Sequence, residues 1–251
     1  MSPGYIREIF LGRPLPEDSY LTALPALAPL IVGERLALDT PVTFLVGENG
    51  SGKSTLLEAL AVAMGFNAEG GTRNFSFSTR KTHAELGDYL TVSRSRYPRD
   101  GFFLRAESFY NTASYLEDAY REELRLEVGT PYGARSLHAQ SHGESFLALV
   151  QNRFGGEGVY LLDEPEAALS PARQLTLLGQ LHLLVEEDSQ FLIATHSPIL
   201  MAYPGACIYR LSEEGIRRTA YRETEHYLLT RRFLEDPERM LRSLFSETGT
   251  T

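Results

Sequence analysis

The stretch Gly47-Glu48-Asn49-Gly50-Ser51-Gly52-Lys53-Ser54 decides the fold class of this chain, because it fits the pattern G-x-x-x-x-G-K-[ST]. The β-branched, apolar run Val42–Val46 lies directly before it and predicts a buried parallel strand. Residues 54–64 follow with leucines and alanines at helical spacing, which predicts an amphipathic helix. A strand, this loop and a helix in that order predict a phosphate-binding loop.

Each residue type in the loop suits a chain of negatively charged phosphates. Backbone N–H groups reach phosphate oxygens only where side chains do not intervene, and glycine leaves that space and tolerates a positive φ. The positive end of the following helix points at the same phosphates. Lys53 would place an ammonium at the β- and γ-oxygens, and the Ser54 hydroxyl would complete the coordination shell of Mg²⁺. The candidate nucleotide-binding residues are therefore Gly47, Asn49, Gly50, Ser51, Gly52, Lys53, Ser54 and Thr55.

The composition is that of an ordinary globular protein. The 251 residues are 43% hydrophobic and 23% charged, and 24 basic against 33 acidic residues give a formal net charge of −9. This charge argues against a protein that coats nucleic acid through bulk electrostatics, although it leaves a local basic patch open. The single cysteine, Cys207, excludes an internal disulfide and a Cys-rich zinc site. No apolar stretch approaches the ~20 residues that span a bilayer and no secretion signal is present, so we expect a cytoplasmic protein.

Strands and helices alternate along the chain. Val159–Leu162 and Phe191–Thr195 predict two further buried strands, and residues 171–187 predict a helix that crosses between them. This alternation predicts an α/β fold, a P-loop NTPase with a mostly parallel sheet flanked by helices. We expect one domain over residues 1–251, with a core at about 1–66 and 150–215, a small β/helical lobe at about 67–149, and a charged C-terminal helix at about 225–245 that breaks near Pro237.

Two carboxylates end the second buried strand. Asp163 lies at the carboxyl end, where ligands of open α/β sheets bind, and is a candidate Mg²⁺ ligand together with Ser54. Glu164 points elsewhere and can polarise the water that attacks a γ-phosphate. With the phosphate loop upstream, this pair predicts nucleotide hydrolysis.

Three further motifs resemble those of the ABC-type ATPases. Gln140-Ser141-His142-Gly143-Glu144-Ser145 precedes an apolar helix and is similar to the signature motif of that family. Glu166-Ala167-Ala168-Leu169-Ser170 matches the loop that follows the carboxylates, and Thr195-His196-Ser197-Pro198 resembles the segment with the switch histidine. The resemblance covers about residues 42–200. The residues of these motifs are most similar to those of the soluble branch of ATPases near the RecF, Rad50 and SMC proteins.

The resemblance implies a homodimer that buries ATP and Mg²⁺ between two copies of the chain, related by two-fold symmetry. Glu164 would be the base, Lys53 would contact the phosphates, and His196 would sense the γ-phosphate from the same subunit. The signature helix, expected to begin near Ser145, would meet the nucleotide of the other subunit through Ser141, Gly143 and Glu144.

The chain departs from the family pattern at several positions. His142 stands where glycine is usual, and Ser170 replaces a common aspartate. No glutamine loop is evident, and Glu107 is a guess for its equivalent. The sequence does not rank the aromatic residues that are candidates for stacking on adenine, which are Tyr5, Phe10 and Tyr20.

Three functions compete within this chemistry. The first is an ATPase that drives a protein or nucleic-acid partner in DNA maintenance or phage defence, and the second is the nucleotide-binding subunit of a membrane transporter. The third is a nucleotide-gated binding switch with negligible turnover. The missing glutamine loop, which couples the family's ATPase domains to membrane subunits, disfavours the transporter. A basic stretch is either a solvated face or a nucleic-acid surface, and it contains Arg73, Arg80, Lys81, Arg94, Arg96 and Arg99.

Overall fold

The computed structural model describes residues 4–68, 70–71, 84–106 and 141–247. Within them the largest sheet has six strands, and its central strand carries the phosphate loop. From one edge to the other the strands are β5 (Asp100–Arg105), β6 (Gly158–Asp163), β7 (Gln190–Ala194), β3 (Val42–Val46), β8 (Cys207–Ser212) and β9 (Gly215–Thr219). The first five are parallel and β9 is antiparallel to β8, so the predicted α/β fold with a mostly parallel sheet is confirmed.

Helices cover the sheet, and their ends agree with the predictions with one exception. In the described residues they are α1 (Ala28–Ile31), α2 (Lys53–Ala63), α3 (His142–Arg153), α4 (Pro171–Glu186), α5 (Glu225–Glu235) and α6 (Pro237–Glu247). The expectation that the signature helix begins near Ser145 is wrong, because α3 begins at His142 with Ser141 as its N-cap. The C-terminal helix breaks at Pro237, as expected. None of the described helices is long and apolar enough to cross a membrane.

Two hydrophobic cores lie on opposite faces of the sheet, because successive side chains of a strand point to opposite sides. Along β3, Leu45 faces the first core, while Phe44 and Val46 face the second. Helix α2 packs in the first core, and α3 and α4 pack in the second. Burial on both faces explains why the strands are nearly continuous apolar runs.

A smaller antiparallel sheet, of strands β2 (Leu36–Ala37), β1 (Ile6–Leu11) and β4 (Leu90–Arg94), packs on the first core. The buried side-chain amide of Gln190 joins this sheet to β7, since it accepts from the N–H of Ile6 and donates to the carbonyl of Leu38. Strands β4 and β5 fall in the segment predicted as a lobe but belong to the two sheets of the core. Most of α3 also falls in that segment and packs in the second core. Residues 72–83 and 107–140, with Glu107, Arg73, Arg80 and Lys81, lie outside the described residues.

Parallel strands place the predicted site residues together. The carboxyl ends of β3, β6 and β7 meet at one edge of the sheet, and they lead into the phosphate loop, into Glu164 and into His196. This edge is the usual position of ligands in open α/β sheets.

Candidate active site

The phosphate loop has the backbone that its glycines predict. Gly50 and Gly52 have φ values of 81° and 93°, and a Cβ on Gly47 would lie 2.2 Å from the carbonyl oxygen of Leu211 on β8. Helix α2 begins at Lys53, so its unpaired N–H groups face the inside of the loop. The positive φ values and the start of α2 thus give the loop the backbone of a phosphate site.

The Lys53 ammonium is folded into the loop. Its Nζ donates to the carbonyl oxygens of Gly47 and Glu48, both at 2.9 Å. Burial lowers the pKa of Lys53, and the nearby carboxylates of Glu164 and Asp163 oppose that shift. A bound phosphate would draw the ammonium away from these carbonyls.

The other loop residues also suit an anion. The Oγ atom of Ser51 is buried and has no hydrogen-bond partner among the described residues. Such an atom is costly unless a ligand satisfies it, so it points to a bound phosphate. Asn49 is exposed at the rim of the loop, and Thr55 is half-buried in the first turn of α2.

Ser54 and Asp163 come together as the sequence predicts. The Ser54 hydroxyl donates to Oδ1 of Asp163 at 2.9 Å, although the two residues are 109 positions apart. A hydroxyl and a carboxylate at the mouth of a phosphate site are the oxygen ligands that Mg²⁺ prefers. The donor set therefore fits this ion.

Arg105 is a residue of this site that the sequence analysis missed. It ends β5 in register with Asp163, and its Nε lies 3.4 Å from Oδ2 of that carboxylate. Its Nη1 donates to Oε2 of Glu58 on α2 at 2.9 Å. All three side chains are at most one-fifth exposed, so a buried cation links the Asp163 carboxylate to helix α2. In the sequence, the sign of this role is that Arg105 ends an apolar run; that the run pairs with the Asp163 strand is known only from the structure.

Glu164 is turned out of the strand by its backbone. It has φ 49° and ψ 50°, a left-handed conformation that non-glycine residues adopt rarely and that clusters at active sites. Its side chain is 35% exposed, and its Oε1 lies 3.6 Å from Nε2 of His196. The carboxylate therefore stands at the edge of the sheet, open to solvent and beside His196.

Glu166 fixes the loop that carries His196. Its carboxylate accepts from the Thr195 hydroxyl at 2.7 Å and from the backbone N–H of His196 at 2.5 Å. Burial raises the pKa of Glu166, and these two hydrogen bonds oppose the shift. The loop after the carboxylates and the histidine segment thus form one unit.

His226 is a second residue that the sequence analysis missed. It lies in the first turn of α5, and its Nε2 is 3.0 Å from Nδ1 of His196. Burial lowers the pKa of both histidines, and the charge of Lys53 lowers that of His196 further. No local spacing links these two residues, so the sequence offered only the histidine itself.

A cavity of about 510 Å³ opens beside the phosphate loop. Residues 46–51 form one wall, and the β8–β9 hairpin with the start of α5, including His226, forms the other. None of the three aromatic candidates for adenine lines this cavity, and the residue that stacks on adenine stays a prediction. Tyr5 lines another cavity, Phe10 packs under Arg35, and Tyr20 is 48% exposed.

The signature residues form a separate cluster at the start of α3. The Ser141 hydroxyl donates to Oε2 of Glu144 at 2.8 Å, and Nη1 of Arg173 on α4 donates to the same hydroxyl at 3.1 Å. Hydrogen bonds from Ser141 lower the pKa of Glu144. Gly143 is buried, and a Cβ there would lie 2.6 Å from Arg173 and 2.8 Å from the Ala168 carbonyl. Ser141 and Glu144 are exposed, and an arginine that the sequence analysis missed lies beside them.

Comparisons with known proteins agree with this geometry. Residues 32–109 match the family model described as "AAA domain", and residues 144–202 match "AAA domain, putative AbiEii toxin, Type IV TA system". The chain is 29% identical over 197 residues to a "Putative ABC transporter ATP-binding protein" of Caldanaerobacter subterraneus subsp. tengcongensis, covering 70% of this chain and 77% of the relative. It is 30% identical over 169 residues to the manganese transport system ATP-binding protein MntA of Synechocystis, covering 62% and 64%.

A solved structure shows the same fold. It is titled "An inward-facing conformation of a putative metal-chelate type ABC transporter", and it matches 90% of this chain and 88% of its own with a TM-score of 0.50 at 18% identity. The two family matches include the phosphate loop, the carboxylate pair and the histidine segment of this chain. The two family matches and the relatives support an ABC-type P-loop ATPase, which is an ATP-hydrolysing enzyme.

Proposed function

We propose that two copies of this chain close over two ATP molecules, and that hydrolysis opens the dimer and drives a partner. The observation that carries the proposal is the exposed cluster of Ser141 and Arg173 at the start of α3. The helix N-terminus, the hydroxyl and the guanidinium together favour an anion. The Ser141 hydroxyl hydrogen-bonds to Glu144 and Arg173, and Arg173 also pairs with Glu144. The γ-phosphate of a second copy would take the place of the Glu144 carboxylate in these contacts.

The residues of one copy divide the chemistry. Lys53 exchanges the carbonyl oxygens of Gly47 and Glu48 for phosphate oxygens. Ser54 and Asp163 would hold Mg²⁺, and the ion would supply positive charge beside the phosphates. Glu164, open to solvent, accepts a proton from the attacking water.

His196 completes the site from the same copy. Its Nε2 is on the side of the ring that faces Glu164, and Glu166 holds its backbone. A donor at this place hydrogen-bonds the γ-phosphate and reports its loss after hydrolysis. The trans contacts then end, and the dimer opens.

The dimer is tested with Glu164→Gln, which removes the base and retains the shape of the side chain. We expect this variant to bind MgATP and to elute at twice the monomer mass in size-exclusion chromatography, and to elute as a monomer without nucleotide. The matched control is Glu164→Gln/Ser141→Arg, which should bind ATP and stay monomeric. A Glu164→Gln protein that stays monomeric at high concentration with MgATP would contradict the proposal.

The partner is the least constrained element. Wild-type phosphate release with and without duplex DNA tests a role in DNA maintenance or phage defence in the cytoplasm, and we expect stimulation by DNA. A second candidate function, the ATP-binding subunit of a transporter, is favoured by the names of the relatives. Phosphate release that DNA does not change would favour this second function.

A further inference from the structure

His226 contacts the histidine of the active site from a part of the chain that neither family match includes. The matches cover residues 32–109 and 144–202, whereas His226 lies in α5. Its Nε2 is 3.0 Å from Nδ1 of His196, and the ring centroids are 5.2 Å apart. Both rings are half-buried. One partner of the contact therefore lies outside the segments that the family models match.

The start of α5 is anchored to the segment that carries His196. Thr224 is the buried N-cap of α5, and its hydroxyl accepts from the N–H of Tyr227. The Tyr221 hydroxyl donates to the carbonyl of Pro198 at 3.0 Å, and its ring packs on that of Tyr227. These contacts fix the backbone on both sides of His226 relative to His196.

The hydrogen bond between the two rings determines which nitrogen of His196 carries the proton. In a neutral imidazole one nitrogen donates and the other accepts. Nε2 of His196 lies 3.6 Å from a Glu164 oxygen and has no hydrogen-bond partner in the part of the chain that the structure describes. To donate to an oxygen at this place, Nε2 must carry the hydrogen, and Nδ1 must then accept. Nε2 of His226, 3.0 Å from Nδ1, would then carry a hydrogen and donate it to Nδ1.

We propose that His226 is a positioning residue that holds His196 in the Nε2–H tautomer, with its N–H directed at the γ-phosphate side of the site. This inference rests on the role of His196 given under the proposed function. His226 itself does not touch the reacting atoms. In many metal sites and catalytic triads, a hydrogen bond to one ring nitrogen of a histidine orients the ring and fixes its tautomer, and His226 would do the same for His196.

Two substitutions of His226 separate the effect of its N–H donor from the effect of its side-chain volume. His226→Gln keeps an N–H donor near the position of the ring Nε2, whereas His226→Met fills similar space without a donor. Long-range ¹H–¹⁵N spectra of the imidazole nitrogens, recorded on full-length protein without nucleotide, report the tautomer of His196 independently of activity. Steady-state phosphate release gives kcat and KM. His182→Gln is the control, because His182 is an exposed histidine on α4 whose side chain contacts Tyr203.

We expect His226→Met to shift His196 away from the Nε2–H tautomer and to lower kcat about ten- to a hundredfold, with a KM for ATP close to that of wild type. His226→Gln should retain both the tautomer and most of kcat. An unchanged His196 tautomer in His226→Met overturns the inference, and so does an equal loss of kcat in both variants. A changed tautomer with unchanged kcat would confirm the contact and overturn the role of His196 in hydrolysis, so the two failures are distinguishable.

Discussion

Arg105 gives the sharpest prediction about how the site is held together. The change is Arg105→Met, which keeps much of the side-chain volume and removes the guanidinium. That group contacts Oε2 of Glu58 at 2.9 Å and Oδ2 of Asp163 at 3.4 Å, and the exposed fractions of the three side chains are 20%, 6% and 7%. Removing one partner of such a buried ion pair costs about 3–5 kcal/mol. We therefore expect the free energy of unfolding to fall by that amount.

The assay is equilibrium unfolding in urea without nucleotide or Mg²⁺. The midpoint should fall with little change in the m-value, and a loss of 3 kcal/mol corresponds to a melting temperature lower by about 6–12 °C for a chain of this size. The matched control is Arg99→Met, because Arg99 pairs with Glu157 at 2.5 Å but the two side chains are 79% and 46% exposed. An exposed pair of this kind contributes at most about 1 kcal/mol.

A second substitution tests the cause of the loss. Glu58→Gln in the Arg105→Met protein removes one of the two carboxylate charges that the guanidinium contacts, and it should recover about 1 kcal/mol or more. Two results would refute this explanation: an Arg105→Met protein no less stable than Arg99→Met, or an Arg105→Met/Glu58→Gln protein less stable than Arg105→Met alone.

Three other predictions follow from the site. In Gly47→Ala the new Cβ would lie 2.2 Å from a carbonyl oxygen of β8. The loop must therefore shift, so ATP binding should weaken and the free energy of unfolding should fall by about 1–3 kcal/mol. Wild-type ATP affinity in a calorimetric titration would contradict this prediction. Arg173→Ala should lower kcat by roughly tenfold or more, because Ser141 loses a donor that orients it. The variant also loses the partly exposed ion pair with Glu144, which should change the free energy of unfolding by no more than about 1 kcal/mol. An unchanged kcat would contradict the role given to Arg173. Burial lowers the pKa of His196 and His226 in the folded state, so the unfolded state binds more protons below a pH of about 6.5. The free energy of unfolding, measured in urea, should therefore decrease as the pH falls from about 7 to about 5. If a His196→Gln/His226→Gln protein shows the same pH profile, other groups cause the decrease.

The sequence predicted the centre of the fold well because the signals there are local. Strand β3 has the bounds predicted for it, and β6 and β7 agree to within a residue at each end. Apolar runs bounded by glycine, proline or acids specify buried parallel strands, and the phosphate loop specifies the strand–helix connection. The prediction that Ser54 and Asp163 share a site followed from the phosphate-loop motif and from the position of Asp163 at the carboxyl end of a strand.

The rest depended on contacts that no local pattern encodes. Arg105 reaches the Mg²⁺ carboxylate through the register of β5 on β6, and His226 reaches His196 through the packing of the C-terminal helix. The start of α3 was missed for another reason. The pattern Ser141-x-x-Glu144 is a helix N-terminus signal, but the expectation placed the start of the helix at the apolar run that follows it. The hairpin of β8 and β9 was not predicted, although residues 212–215 have the composition of a turn.

The proposed composite site is tested most directly by mixing two inactive variants. Lys53→Ala removes the ammonium from one phosphate loop, and Ser141→Arg blocks one helix tip. A heterodimer of the two contains one site with an intact loop and an intact tip, and one site with both defects. We predict that each variant alone is inactive and that an equimolar mixture recovers up to about a quarter of wild-type phosphate release, because about half of the dimers have one working site. A mixture as inactive as its components would contradict the account.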